Sequence, residues 1–179
     1  MKAIIEKKKL MQSLSHLHGV VEKRNTIPIL ANVLIEAKEN ILSLAATDME
    51  IAELQNISCK VEQNGLITTP AHVLHDIVRK LPDNSLIELE SIEGKKLEIK
   101  TDKISFSLMC LNPKDFPDIH SGDFPEGFEI EATKLAKLID KTLFSVSTEE
   151  TRYYLNGIYL HSVKACLLYT SPSPRDSDS

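Results

Sequence analysis

The chain has 179 residues, 42% hydrophobic and 26% charged, with a formal net charge of −5. That balance suits a globular protein with room for one domain and part of another, and it excludes a wholly disordered or fibrous chain. Overall acidity argues against a nucleic-acid partner as far as net charge goes, although a local basic face can still steer an anion. There is no Trp and only 5% of residues are aromatic, so the core must be aliphatic. The three cysteines, Cys59, Cys110 and Cys166, are isolated and form no C-x-x-C pair, which fits a reducing cytoplasm. No signal-type apolar segment and no run of about 18 apolar residues is present, so the pattern points to neither secretion nor a membrane span.

In chain order, a short strand is expected over Lys2 to Glu6 and a helix over Lys7 to Val21. Leu10, Leu14, Leu17 and Val21 share one helical face. Three strands follow: Asn32 to Ala37, Ile41 to Ala46 and a long one over Glu50 to Val61, with a turn at Thr47-Asp48. After a turn at Gln63-Asn-Gly, a second helix is expected from Pro70 to Leu81, with Thr69 as its N-cap. Leu86 to Glu90 and Lys96 to Lys100 alternate around Glu93-Gly94, and Lys103 to Met109 alternates again. The proline-rich Asn112 to Pro125 reads as a domain boundary. A third helix is expected over Ala132 to Val146. Few helices interspersed among antiparallel strands make an α+β pattern.

The opening unit recurs. Ile5 to Ile35 aligns without a gap on Ile130 to Leu160 at a constant offset of 125, with Ile5, Glu6, Lys9, Leu10, Val21, Thr26 and Leu30 meeting identical residues. The repeat has the length of a domain rather than of a solenoid unit of about 20–50 residues. The expected organisation is a complete domain over 1–125, the start of a second over 126–164, and a tail over 165–179. That tail, with its Ser-Pro-Ser-Pro and Ser/Asp finish, reads as disordered or non-native and resembles translated adapter sequence.

No Walker loop, G-x-S-x-G, G-x-G-x-x-G or H-E-x-x-H motif occurs, so no catalytic residue, metal site or cofactor is assigned. His72 and His75 share a helix face, read here as solvated rather than metal-binding. Asp115 and Asp118 flank Pro117 and read as turn chemistry, with a small phosphate-handling metalloenzyme as the alternative. The helices carry bases opposite their apolar stripes: Arg79 on the second, and Lys134, Lys137 and Lys141 on the third. Arg24 and the pair Tyr153-Tyr154 follow the first and third helices at nearly equivalent repeat positions. The strands carry many acids. A basic helical surface with an acidic sheet surface suits a phosphate backbone bound without reading sequence. The other alternative is a protein-interaction module with incidental basic helices.

The stretches RNTIPILANVLIEA (Arg24 to Ala37), LSLAATDMEI (Leu42 to Ile51), TTPAHVLHDIVRKLP (Thr68 to Pro82), FSLMCLNPKDFP (Phe106 to Pro117) and RYYLNGIYL (Arg152 to Leu160) resemble the bacterial DNA polymerase III beta subunit family, the DNA sliding clamps. The resemblance covers about Met1 to Lys164. It implies a clamp fold with helices on the inner face and antiparallel sheets outside, three domains per subunit, and a homodimer closed into a ring around duplex DNA. It implies a non-catalytic, cytoplasmic processivity subunit of a DNA-directed DNA polymerase, whose partners are polymerase III subunits, the clamp loader, and the clamp-binding peptides of repair and replication proteins. By the same resemblance Arg24, Tyr153 and Tyr154 contact DNA, while Arg79, Lys134, Lys137 and Lys141 contribute field. Ile77, Phe106 and Leu108 match a dimer interface, and Leu155 matches one wall of a partner cleft. The remaining cleft motif, Thr-Asp-Gly-His-Arg-Leu, is absent, so the chain is expected to be an N-terminal piece that cannot close a ring.

Overall fold

Alternating apolar residues in the first two-thirds of the chain become two antiparallel sheets sharing one core. The computed structural model describes residues 1–21, 26–119, 129–148, 154–163 and 166–170. It divides into two compact units, Met1–Ser121 and Gly122–Ser179.

The first unit begins with β1 (Lys2–Glu6) and α1 (Lys7–Leu17), then β2 (Asn32–Lys38), β3 (Ile41–Thr47), β4 (Ala52–Ser58), β5 (Lys60–Gln63) and β6 (Gly65–Pro70). Next come α2 (Ala71–Lys80), β7 (Leu86–Ile92), β8 (Lys96–Lys100) and β9 (Ser105–Met109). One sheet has the order β5-β1-β7-β8-β9 and the other β4-β3-β2-β6. Val33, Ile35, Leu42, Leu44 and Ile67 point inward from one sheet, and Ala3, Ile5, Ile87, Leu89, Leu97 and Ile99 from the other. The helices close this core with Leu10, Leu14 and Leu17 from α1 and Leu74 and Val78 from α2. Each such leucine or valine, fully buried, contributes about 1.5–3 kcal/mol of transfer free energy.

Three expectations change. The long strand over Glu50 to Val61 is two strands in two different sheets: β4 pairs with β3, and β5 pairs with β1. The break is held by Asn40, whose backbone carbonyl accepts from Cys59 N–H at 2.9 Å and whose side-chain oxygen accepts from Val61 N–H at 3.1 Å. Residues 65–70, of which Gly65 is expected in a turn, Thr69 as a cap and Pro70 in a helix, form β6, paired with β2 from Asn32↔Pro70 to Ala37↔Gly65. Thr69 therefore lies in a strand, and Pro70 occupies the N-cap position of α2 without a side-chain cap bond. A Cβ on Gly65 would stand 2.9 Å from Met1 Cβ, so only glycine fits there without a shift. Finally, α1 stops at Leu17, four residues short of the expected end, and a turn over His18 to Val20 follows.

The second unit contains α3 (Ala132–Leu143), β10 (Tyr159–Val163) and β11 (Cys166–Thr170). The expected helix end at Val146 falls back to Leu143. β10 pairs with β11 from Tyr159↔Thr170 to Val163↔Cys166. In the first unit β2 pairs with β3 from Leu34↔Ala45 to Lys38↔Ile41. Every pair of one hairpin lies 125 residues beyond its counterpart in the other, so the internal repeat continues to Thr170. The tail expected to be structureless from residue 165 thus differs at Cys166–Thr170. Its run CLLYT is apolar and β-prone, and it adds to the neighbouring strand.

Candidate nucleic-acid interface

Each of the three helices carries exposed basic side chains. α1 and α2 pack against one another in the first unit. The start of α1 is tied to the end of α2 by Lys7, whose Nζ donates to the Leu81 carbonyl and, at 2.7 Å, to Asp83. This lysine is buried, and its ammonium holds the Asp83 carboxyl below the usual aspartate range. It is committed to the fold and unavailable to a ligand. The next residue, Lys8, is exposed, and with Met11, Arg79 and Asn84 it lines a depression of about 610 Å³ between the two helices. Arg79 is exposed and pairs with Asp76 at 3.0 Å. An exposed pair of this kind is worth at most about 1 kcal/mol, so the guanidinium can exchange its carboxylate for a phosphate at little cost.

On α3, Lys134 pairs with Glu131 at 3.1 Å, while Lys137 and Lys141 are exposed. The Thr133 hydroxyl and the Lys134 ammonium hold the Glu131 carboxyl below its ordinary value. Tyr154 is exposed just before β10. Arg24 and Tyr153 lie outside the described residues.

Leu155 is half-buried, and its carbonyl accepts from Ser147 N–H at 3.0 Å, closing the loop after α3. Ile77 and Leu108 are half-buried against the first unit's core, and Phe106 is 37% exposed on β9. β9 is an edge strand of its sheet. Its apolar side chains therefore stand where the core runs out of cover.

Two features of the site differ from the sequence reading. Acids of the β5-β1-β7-β8-β9 sheet meet lysines of the same sheet: Lys2 bridges Glu62 and Glu88, and Lys100 reaches Glu90 and Glu98. That sheet is thus less acidic than the count of its carboxylates suggests. His72 and His75 are also not a solvated face. Their rings lie 4.5 and 4.6 Å from that of His18, and His72 Nε2 bonds the Val21 carbonyl at 2.9 Å. The contacts with His18 join residues 54 and 57 positions apart, and no local spacing signals them. Among the described residues, no group of three His, Cys, Asp or Glu side chains is placed to hold a metal ion.

The remaining acids have structural places. Asp48 accepts from the N–H groups of Glu50 and Ile51 at 2.9 and 2.7 Å, which lowers its pKa and closes the β3–β4 turn. Asp115 ends a short 3₁₀ turn that Asn112 caps by accepting from Lys114 N–H. No helix among the described residues is long and apolar enough to cross a membrane.

Two family descriptions match the chain in order. "DNA polymerase III beta subunit, N-terminal domain" matches residues 1–120, and "DNA polymerase III beta subunit, central domain" matches 129–173. The beta sliding clamp of Caulobacter vibrioides is 43% identical over 164 residues, 91% of this chain and 44% of that protein. The Rickettsia felis beta sliding clamp is 44% identical over 161 residues, 90% of this chain and 42% of that protein. Among solved structures, the sliding clamp of Bartonella birtlesii bound to griselimycin superposes with a TM-score of 0.88 at 43% identity, covering 96% of this chain and 47% of that one. The Pseudomonas aeruginosa clamp with ligand gives 0.90 at 34% identity, over 97% and 47%. The chain spans less than half the length of these relatives.

Proposed function

The chain belongs to the DNA polymerase III beta subunit family, the sliding clamps, and from that premise we propose that it is the N-terminal part of a ring that encircles duplex DNA and confers processivity on the replicative polymerase. Residues 1–125 are the first clamp domain, and 126 onward opens the second, which the strand Cys166–Thr170 extends beyond residue 164. The observation that carries this reading is the repeat. The same helix-and-hairpin unit occurs twice at one offset, with one strand register. A ring is built from such repeated units, each presenting a helix to the same axis.

The clamp itself catalyses nothing. Its work is topological, so it needs a field of cations rather than a reactive centre. Arg24, Tyr153 and Tyr154 contact the phosphate backbone. Arg79, Lys134, Lys137 and Lys141, with Lys8 added by its place beside Arg79, hold duplex DNA without fixing its register. Ile77, Phe106 and Leu108 form the face that meets a second subunit, and Leu155 forms one wall of a cleft for the peptides of polymerase and repair proteins. The clamp loader and polymerase III are the partners of the complete cytoplasmic subunit.

The complete gene product, loaded on nicked circular DNA, is expected to stay bound and to be lost when the circle is linearised. Equal loss from circle and linear DNA would sink the topological mechanism.

A further inference from the structure

The outer face of the β4-β3-β2-β6 sheet carries a groove that no part of the DNA-facing surface uses. Register sets its floor and walls. Leu34 on β2 lies opposite Ala45 on β3, and Ala45 lies opposite Leu54 on β4. The small Ala45 between two leucines leaves a trough, and Ile119 closes one end, giving a groove of about 650 Å³. Leu34 and Ile119 are anchored from beneath by Ile29, Leu30 and Phe116, so that wall is pre-formed. Leu54 is 58% exposed on the other side.

The polar lining is one-signed. Glu36 is the charged side chain on this face of the groove, and among the described residues no Lys, Arg or His lines it. Glu36 is exposed and makes no ion pair among the described residues, in contrast to Glu62, Glu88, Glu90 and Glu98, which meet Lys2 or Lys100. Glu53 stands on the other face of the sheet, opposite Ala46, where it accepts a hydrogen bond from Gln55 at 2.8 Å. Lys38 stands on the same face one row along, opposite Ile41.

The geometry points to a second peptide-docking site in the first unit: a groove that takes a short extended segment of a protein partner, with an aliphatic side chain in the Leu34–Ala45–Leu54 trough and a neighbouring Lys or Arg on Glu36. An apolar trough supplies the affinity, and the unpaired carboxylate beside it selects a basic neighbour.

The test uses the full 179-residue chain and fluorescein-labelled Gly-Lys-Leu-Arg-Leu-Gly, read by fluorescence anisotropy. Leu54→Ser is expected to weaken binding about tenfold, the loss of one well-buried aliphatic contact. Glu36→Gln is expected to weaken it about threefold, as a rim ion pair does. Both side chains are exposed, so the fold tolerates the changes, and Ile41→Ser on the same face is expected to leave binding unchanged. Three results overturn the proposal: no binding, binding indifferent to both substitutions, or equal binding of Gly-Glu-Leu-Glu-Leu-Gly. Concentration-dependent dimerisation abolished by Leu54→Ser would likewise overturn it, by making a second copy the occupant.

Discussion

α1 and α3 are the same element in two settings. Leu10 and Leu14 of α1 are 0% and 2% exposed, because two sheets and α2 cover them. Their counterparts 125 residues on, Leu135 and Ile139, are half-buried and 37% exposed, and α3 contains no buried residue. The apolar stripe is alike in both. What differs is the number of strands offered to it. Amphipathic pattern thus specifies which face a helix would bury, while the partner sheet determines whether it does.

Substitutions at paired positions give the sharpest test of this comparison. Leu14→Ala is expected to cost about 2–5 kcal/mol in urea unfolding, the range for a buried aliphatic truncation that leaves a cavity. Ile139→Ala is expected to cost less than about 1 kcal/mol, as surface changes do. Equal costs would mean that α3 is as well covered in solution as α1.

A smaller effect is expected at Lys7, whose counterpart is Ala132. Lys7→Ala leaves the Leu81 carbonyl and Asp83 without their donor and is expected to cost about 1–3 kcal/mol. The pair also predicts a pH dependence. Asp83 is lowered from 3.8 in the folded state, so its contribution is fully present above 3.8 and is lost as pH falls through the folded value. The stability difference between the parent and Asp83→Asn should therefore be constant at neutral pH and shrink in acid below 3.8. A difference that grew in acid would refute the pairing.

The smallest effects concern DNA. Lys137→Gln and Lys141→Gln should each lower the slope of log affinity against log salt by up to about 1, with little dependence on DNA sequence. Arg79→Gln should change it less, because Asp76 already offsets that charge. A larger loss at Arg79 than at Lys137 would show that the two units share the DNA unequally.

Much of this was legible in the sequence because it is periodic. The stripe of Leu10, Leu14 and Leu17 and the alternation over Ile41 to Ala46 fixed an element type and an inward face. The repeat itself appeared as identities at one offset. What stayed hidden depends on partners distant in the chain. Nothing local to Glu50 to Val61 says that the strand must break, because the break is made by Asn40, some twenty residues earlier. Gly65 read as turn because Asn64-Gly65 is a turn signal, and Thr69 and Pro70 as the cap and start of a helix. They form a strand because β2 offers an edge. The basic face was visible by spacing at Lys134, Lys137 and Lys141. Lys7, an equally basic residue of α1, gave no sign that it was spent on holding two helices together.

The shared register of the two hairpins has a further consequence for experiment. In the first unit β2 uses its second edge to hold β6, whereas among the described residues β10 and β11 form a sheet of two. A lone two-stranded ribbon is marginally stable and exposes backbone donors and acceptors along its margins. The chain is therefore suited to fragment complementation. A separately made polypeptide carrying the strand equivalent to Gly65–Pro70 has a ready address on β10, and recovery of cooperative unfolding on mixing would report its arrival.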